Sequence, residues 1–159
     1  MRSMLLLAGF LLASFAAAAV GGLFTGPAIG QWYPALAKPM WTPPAWVFGP
    51  VWTALYACIA LAGFLACRRA GFAGAQAAMA LFAVQLVLNA AWSAIFFGLR
   101  QPGWAFAEIV LLWAAILATT VALLRIHIAA GLLFVPYLLW VTFAAALNFA
   151  IWRLNTGPQ

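Results

Sequence analysis

WYPALAKPMWTPPAWVFGPVWTALY, residues 32–56, is the most aromatic and most irregular stretch of this chain. It holds four of the nine tryptophans, five of the nine prolines and the only lysine, Lys38. Closely spaced prolines remove backbone donors and restrict the residues before them, so the first half is not expected to be helical. An apolar run begins near Pro44 and Pro50, where proline is tolerated at a helix start, and continues to Cys67. The stretch therefore predicts a stiff aromatic loop that leads into a membrane helix and covers a pocket for a flat, apolar ligand.

The composition around this stretch is that of an integral membrane protein. Of the 159 residues, 69% are hydrophobic and 5% are charged, whereas soluble domains carry roughly 25% charged residues. The mean hydropathy is +1.13, and five helices of about 20 residues plus their connections use the whole length. We therefore predict one all-α, multi-pass domain over residues 1–159, with the long Pro/Trp-rich loop between its first two helices. The five spanning helices are expected at about 4–24, 46–66, 75–97, 104–124 and 132–154.

The first apolar segment could be read either as a signal peptide or as a retained helix. Its run of about 20 apolar residues is long enough to span a bilayer. Gly9, Ala13, Ala17 and Gly21 recur every four residues, a pattern that suits close helix packing. These features favour a retained first helix.

The net charge of +6 comes from seven basic residues and one acid. The basic residues lie near the ends of the apolar segments, which indicates headgroup anchoring and excludes nucleic acid as a partner. By the order of the helices, Arg2, Arg68, Arg69 and Arg125 fall on one side and Lys38, Arg100 and Arg153 on the other. This division slightly favours an inside N-terminus, and it leaves open which membrane, inner or outer, holds the protein.

Polar and aromatic side chains follow one face on each of three predicted helices. Buried polar groups in an apolar helix are costly unless they face protein or a cavity, so these faces should point into the bundle. The three faces carry Phe48, Trp52, Tyr56, Ile59 and Gly63; Gln85, Asn89, Trp92 and Phe96; and Tyr137, Trp140, Ala144, Asn148, Ile151 and Asn155. Two interpretations stay open at this point: the faces line a ligand pocket, or they only supply hydrogen bonds between helices and anchors at the interface.

The usual catalytic and metal-binding arrangements are excluded by residue type. Glu108 is the only acid and His127 the only histidine, so neither a carboxylate pair nor a Ser-His-Asp triad can form. Cys58 and Cys67 lie too far apart on one helix for a disulfide, and no Cys/His spacing predicts a metal site. Glu108 is expected to have a packing or capping role, with proton coupling as the alternative, and His127 is expected to be solvated.

The quoted stretch resembles the signature of the TspO/MBR family, the tryptophan-rich sensory proteins and translocator proteins, which are also called peripheral-type benzodiazepine receptors. The likeness runs from about residue 21 to 155 and includes Gln85, Asn89 and Trp92, then Pro136-Tyr137, Trp140, Leu147-Asn148 and Asn155. It implies a five-helix bundle, usually a homodimer, with a pocket beneath the first loop. The Ala-rich composition indicates a bacterial member of the family. The expected ligand is a porphyrin, protoporphyrin IX or heme, and no cofactor is required.

Carried over by position, the resemblance implies nine ligand-binding residues. They are Tyr33, Trp41, Pro43, Trp52, Asn89, Trp92, Tyr137, Trp140 and Ala144. Lys38, at the end of the loop, is expected to meet a ligand propionate. Where animal members carry a sterol motif with a Tyr, this chain has Leu147, Phe149 and Arg153, and the missing hydroxyl argues against sterol binding.

Three functions are compatible with these residues, and the resemblance favours the first two. The favoured one is a receptor or carrier that binds porphyrins and related flat hydrophobic ligands, with a role in tetrapyrrole regulation, transport or stress response. The second is an enzyme that photo-oxidises bound protoporphyrin, for which Trp52 and Trp140 are the candidate residues. The third is a structural or regulatory membrane protein without ligand turnover.

Overall fold

The fold is that of an all-α membrane protein, as the composition predicts. The computed structural model describes residues Arg2–Thr156, and within that range every regular element is a helix and five helices are long and apolar enough to cross a membrane. A single helical turn lies between the first two of the five. The helices are α1 (Arg2–Gly30), α2 (Trp32–Ala35), α3 (Phe48–Gly74), α4 (Gln76–Ser93), α5 (Pro102–Ile126) and α6 (Ile128–Asn155).

The five spanning helices form a closed ring. α1 packs against α3 and α4, α6 packs against α3 and α5, and α4 packs against α5, which gives the order α1–α3–α6–α5–α4. The interior is filled by fully buried apolar side chains such as Ile59, Ile116 and Phe134. Large apolar side chains also cover the outer surface, because the surrounding hydrocarbon is as apolar as the interior.

The first connection differs from the expectation in two respects. α1 continues through Pro27 to Gly30, six residues beyond the predicted end. The prediction that the first half of the Pro/Trp stretch contains no helix is wrong, since Trp32–Ala35 forms one turn. Pro34 fits there because the first N–H groups of a helix have no acceptor within it, so the missing donor costs nothing. Residues 36–44 are irregular, and a 3₁₀ turn over Ala45–Val47 leads into α3.

Three other helix boundaries differ from the prediction. α6 begins at Ile128, four residues before the predicted start, so Gly131 lies inside the helix. α3 passes the Arg68–Arg69 pair and continues to Gly74, with Gly71 at a positive φ of 70°. After α4, residues Ala94–Gly98 form a π-helical turn in which Leu99 N donates to Ala94 O at 2.8 Å. Gly98 therefore stays inside the helical segment, and the positive φ of the following turn, 56°, falls on Arg100.

Gly63 of α3 lies in close contact with the Phe10 ring of α1. A methyl group at residue 63 would lie 2.6 Å from two ring carbons of Phe10, and that ring is held by Phe72 and Phe82 at centroid distances of 6.4 and 5.4 Å. We expect Gly63→Ala to lower the free energy of unfolding by about 1–3 kcal/mol through overpacking. Thermal unfolding in detergent, followed by circular dichroism, measures the change.

The matched control is Gly9→Ala on the facing helix. A methyl group at residue 9 would meet nothing within 4 Å, so the control should hold or gain stability through its helix propensity, by up to about 1 kcal/mol. Equal melting temperatures for the two variants would show that the Phe10 ring yields without cost.

Candidate ligand-binding cavity

A cavity of about 510 Å³ lies inside the bundle, beneath the Pro/Trp connection. Small-molecule sites occupy roughly 300–1,000 Å³, so the volume suits one ligand of substantial size. α1, α3, α4, its π-helical extension and α6 all contribute to the wall. The lining residues that carry the argument below are Gly22, Tyr33, Gly49, Trp52, Tyr56, Asn89, Trp92, Trp140, Ala144 and Asn148.

Aromatic faces form the deeper wall of the cavity. Trp52 on α3 lies against Tyr56 and Tyr137, with ring centroids 5.5 and 6.1 Å away. Trp92 on α4 stacks on Phe96 at 5.1 Å, with an angle of 24° between the rings. These rings are supported by their neighbours, so the cavity presents preformed aromatic surfaces to a ligand.

A hydrogen-bond network of three side chains joins three helices at the base of the cavity. The Tyr56 hydroxyl on α3 donates to Asn89 Oδ1 on α4, and Asn89 Nδ2 donates to the Tyr137 hydroxyl on α6 at 2.9 Å. All three residues are buried. Buried polar groups in a membrane protein are costly unless they are hydrogen-bonded, and these three side chains satisfy one another across α3, α4 and α6.

A second chain of hydrogen bonds ties α4, α5 and α6 together. Trp92 Nε1 donates to Asn148 Oδ1 at 3.0 Å, and Asn148 Nδ2 donates to the carbonyl of Pro102 at 2.7 Å. The Asn148 side chain thus holds the Trp92 ring in place and satisfies a carbonyl in the first turn of α5. The side chains of both asparagines in the cavity wall are thus used in hydrogen bonds between helices.

The connection over the cavity, residues 31–44, is called the lid below, and it is fastened to α6 and to the π-helical turn. The Asn155 side chain accepts from Ala37 N at 3.0 Å and donates to Ala37 O at 2.9 Å. The Trp41 ring lies 5.7 Å from Phe143, and the Trp32 ring lies 5.6 Å from Phe96. These contacts hold the lid shut at separate points along its length.

Lys38 stabilises the lid from within. Its ammonium group donates to the carbonyls of Tyr33, Pro34 and Leu36 at 2.7, 3.1 and 2.8 Å, and lies 5.0 Å from the centre of the Tyr33 ring. A lysine has three donors, and all three are used by these carbonyls. The expectation that Lys38 meets a ligand propionate is therefore not supported by its position.

The cavity wall carries no charged side chain among residues Arg2–Thr156. The lid contributes one titratable residue, Tyr33, to the wall. Burial raises the pKa of its phenol above the ordinary value, so the group is neutral at physiological pH. Thr25 and Thr53 donate to the carbonyls of Gly21 and Gly49 in their own helices. Their hydroxyls are thereby satisfied by the backbone, and the wall is effectively apolar and uncharged.

Six of the nine residues expected at the site line this cavity, and three do not. Tyr33, Trp52, Asn89, Trp92, Trp140 and Ala144 are in the wall. Trp41 packs against Phe143, Pro43 is a half-buried lid residue outside the wall, and Tyr137 is fully buried behind Asn89. Sequence reasoning missed the α1 contribution of Phe15, Ala18, Gly21, Gly22, Thr25 and Ile29, because α1 has no aromatic or amide face to signal it.

Two titratable residues singled out from the sequence lie away from the cavity. Glu108 is buried in the second turn of α5, and neither carboxylate oxygen has a hydrogen-bond partner among the described residues. His127 joins α5 to α6 and is half-buried, with a buried Nδ1. The expectation that His127 is solvated is wrong for this nitrogen, because the tight turn between two packed helices covers it.

The fastening role of Lys38 predicts a local effect on the lid. We expect Lys38→Met, which keeps most of the aliphatic length, to remove about 1–3 kcal/mol of local stability, since hydrogen bonds from a charged donor are lost. Amide exchange at Leu36 and Ala37 should then accelerate by roughly tenfold or more. Hydrogen exchange with mass spectrometry measures this, and Arg100→Met, which removes an exposed cation from the same end of the bundle, is the control. Equal exchange in both variants would contradict the assignment.

Five spanning helices around an uncharged aromatic cavity, closed by a Trp- and Pro-rich lid, define a multi-pass membrane protein with an internal small-molecule cavity. Residues 10–153 match the TspO/MBR family, and the chain belongs to that family.

Its relatives come from bacteria, archaea and mammals, and they cover nearly the whole chain. It is 40% identical over 161 residues to Protein CrtK of Rhodobacter capsulatus, covering 99% of this chain and 97% of that protein. It is 41% identical over 151 residues to the Translocator protein of Homo sapiens, with coverage of 94% and 89%. It is 42% identical over 146 residues to the Tryptophan-rich sensory protein of Cereibacter sphaeroides, with coverage of 92% and 89%.

Proposed function

We propose that this protein is a membrane receptor or carrier for porphyrins and related flat hydrophobic ligands, which bind in the cavity beneath the lid. The observation that carries the proposal is the cavity itself, about 510 Å³ in volume and lined by the rings of Trp52, Trp92 and Trp140. Large planar ligands gain binding energy from offset or edge contacts with such rings as well as from burial of their apolar surface. Membership of the TspO/MBR family supports the same ligand class.

The two asparagines of the wall have little left to offer a ligand. Asn89 already accepts from Tyr56 and donates to Tyr137, and Asn148 is bonded to Trp92 and Pro102. Recognition in this cavity therefore depends more on shape and aromatic contact than on these two amides.

The uncharged wall restricts how a porphyrin can bind. A carboxylate buried without a cationic or hydrogen-bonding partner is strongly disfavoured, and the Lys38 ammonium is used by lid carbonyls. We infer that the macrocycle enters the cavity while its carboxylates stay outside the apolar wall. The proposed ligand class is thus defined by a flat apolar ring system and not by its acidic groups.

This reasoning predicts that protoporphyrin dimethyl ester binds at least as tightly as protoporphyrin IX. The ester keeps the ring and removes both charges, so no desolvation cost is added. Saturable quenching of tryptophan fluorescence in detergent gives both dissociation constants. A free acid that binds about tenfold or more tightly than its ester, a difference of about 1.4 kcal/mol, would show that a cationic partner holds the carboxylates and would contradict the inference.

The absence of saturable quenching by either compound would count against the function itself. Photo-oxidation by Trp52 and Trp140, and assembly as a homodimer, stay predictions of the family resemblance.

A further inference from the structure

α1 and α3 pack tightly against each other in the half of the bundle that lies away from the lid. Gly63 of α3 admits the Phe10 ring of α1, which also stacks on Phe72 at 6.4 Å. Phe15 of α1 lies 6.2 Å from Tyr56 of α3. These contacts close the two helices against each other on the side away from the lid.

In the half nearer the lid, the same two helices leave a slit. Since Phe15 faces Tyr56 and the helices are antiparallel, moving seven residues towards the lid on each helix places Gly22 opposite Gly49. Both glycines line the cavity and both are exposed. A methyl group built at either position would meet nothing within 4 Å, so neither helix fills the space between them.

The residues that line the cavity are buried on one side of the helix ring and exposed on the other. On the α4 and α6 side, the lining residues Asn89, Leu147 and Asn148 are buried. On the α1 and α3 side, Phe15 is 40% exposed and Trp46 is 75% exposed, although both line the same cavity. The cavity therefore reaches the outer surface of the bundle between α1 and α3.

The edges of the slit are apolar and uncharged. Thr25 and Thr53, the hydroxyl-bearing residues at its two edges, donate at 2.9 Å to the carbonyls of Gly21 and Gly49 in their own helices. Bonded in this way, they offer their methyl groups and no free donor to the opening. A hydrocarbon-dissolved molecule can cross such an opening without losing hydrogen bonds.

The lid offers no comparable route. To open it, the paired Asn155 and Ala37 bonds must break, and the Trp41 ring must leave Phe143. Lys38 keeps the lid compact through three carbonyls while this happens.

We propose that the slit between α1 and α3, at Gly22 and Gly49, is a lateral portal through which flat apolar ligands pass directly between the bilayer and the cavity while the lid stays shut. The inference rests on the proposed function, because it concerns the route to the same cavity. The class of molecule is set by the portal's edges: neutral, planar and dissolved in the membrane.

The test compares two reversible cross-links in a background with Cys58→Ala and Cys67→Ala. The portal lock carries Gly22→Cys and Gly49→Cys, joined by a short bis-methanethiosulfonate reagent. The reagent forms one disulfide with each cysteine and releases methanesulfinate, so a reducing agent cleaves the link. The lid lock carries Ala37→Cys and Asn155→Cys, joined in the same way, and is the matched control. Protoporphyrin dimethyl ester is loaded into liposomes, and stopped-flow quenching of tryptophan fluorescence gives its association rate with the reconstituted protein.

We expect the portal lock to slow association by about tenfold or more, within the one to three decades over which association rates vary among variants. Cleavage of the cross-link should restore the rate, and the lid lock should leave it within about twofold. An unchanged rate in the portal lock, or an equal slowing by the lid lock, would overturn the portal. Absence of saturable quenching in the uncross-linked parent would instead overturn the proposed function, so the two failures are distinguishable.

A second pair of variants tests the portal without cross-linking. Gly22→Leu puts a side chain into the slit, and Gly9→Leu puts the same side chain into open space on the same helix, outside the cavity wall. Slower association in Gly22→Leu alone supports the portal. Equal association rates in the two variants, with both proteins folded, would overturn it.

Discussion

Replacing both Trp52 and Trp140 with alanine is expected to weaken protoporphyrin binding by about 100-fold or more, a difference of about 2.7 kcal/mol. Both rings line the cavity and both are half-buried in the ligand-free protein, so each keeps a face for the ligand. An aromatic side chain buries roughly 150–250 Å², and apolar area contributes about 25 cal/mol per Å². If about a third of that surface contacts the ligand, each ring contributes roughly 1–2 kcal/mol by the same coefficient.

The matched control removes two tryptophans that lie outside the cavity. Trp104 is 73% exposed at the start of α5, and Trp113 lies in a groove between α5 and α6. Trp104→Ala/Trp113→Ala should bind with nearly unchanged affinity. Because both variants lose tryptophan fluorescence, the dissociation constants are measured from the porphyrin's own absorbance. Equal losses of affinity in the two double variants would mean that the cavity rings are not the binding surface.

The Asn89→Leu substitution is expected to lower the free energy of unfolding by about 1–3 kcal/mol, because it leaves buried hydroxyls without their partner. Asn89 is 4% exposed and bonds the hydroxyls of Tyr56 and Tyr137 at once. In membranes, single side-chain hydrogen bonds contribute about 0.6 kcal/mol on average and up to about 1.7. Two such bonds therefore place the expected loss within the stated range.

The decisive comparison adds Tyr56→Phe and Tyr137→Phe to Asn89→Leu. Replacing every partner by an apolar group of similar shape removes the orphaned hydroxyls, and such replacements are often nearly neutral. The triple variant should therefore recover most of the stability lost in the single variant. Reversible unfolding in mixed micelles measures the free energy of unfolding of the parent, the single variant and the triple variant. A triple variant as unstable as Asn89→Leu would show that packing, and not the hydrogen-bond network, explains the loss.

Helical periodicity was sufficient to predict which side chains form the deeper wall of the cavity. Trp52, Asn89, Trp92 and Trp140 recur on faces where polar and aromatic residues coincide, and in an apolar helix such a face must turn inward. Periodicity predicts which face of a helix points inward, however, and not whether a side chain on that face reaches the cavity. Tyr137 shares its face with Trp140 and was expected to touch the ligand, yet it is covered by Asn89 because its hydroxyl bonds to that amide.

The α1 side of the cavity and the contacts of the lid could not be predicted from the sequence, for two physical reasons. α1 contributes mostly small and aliphatic residues to the cavity, with Phe15 as its aromatic and Thr25 as its hydroxyl-bearing residue. Small and aliphatic residues look the same whether they face lipid, protein or a cavity. The positive charge of Lys38 suggested an anionic ligand group, but nearby backbone carbonyls compete for the same ammonium. Which acceptor a lysine takes depends on how the chain folds locally, and four prolines made that fold hard to predict.

The central claim is that a flat hydrophobic ligand binds in the cavity beneath the lid, and a structure of the protein with bound protoporphyrin dimethyl ester tests it most directly. The account predicts the macrocycle against Trp52, Trp92 and Trp140, with its ester groups towards the opening between α1 and α3. The groove between α5 and α6, lined by residues such as Phe106, Trp113 and Phe149, is another concave apolar site. Density for the ring in that groove, with the cavity unchanged, would contradict the account.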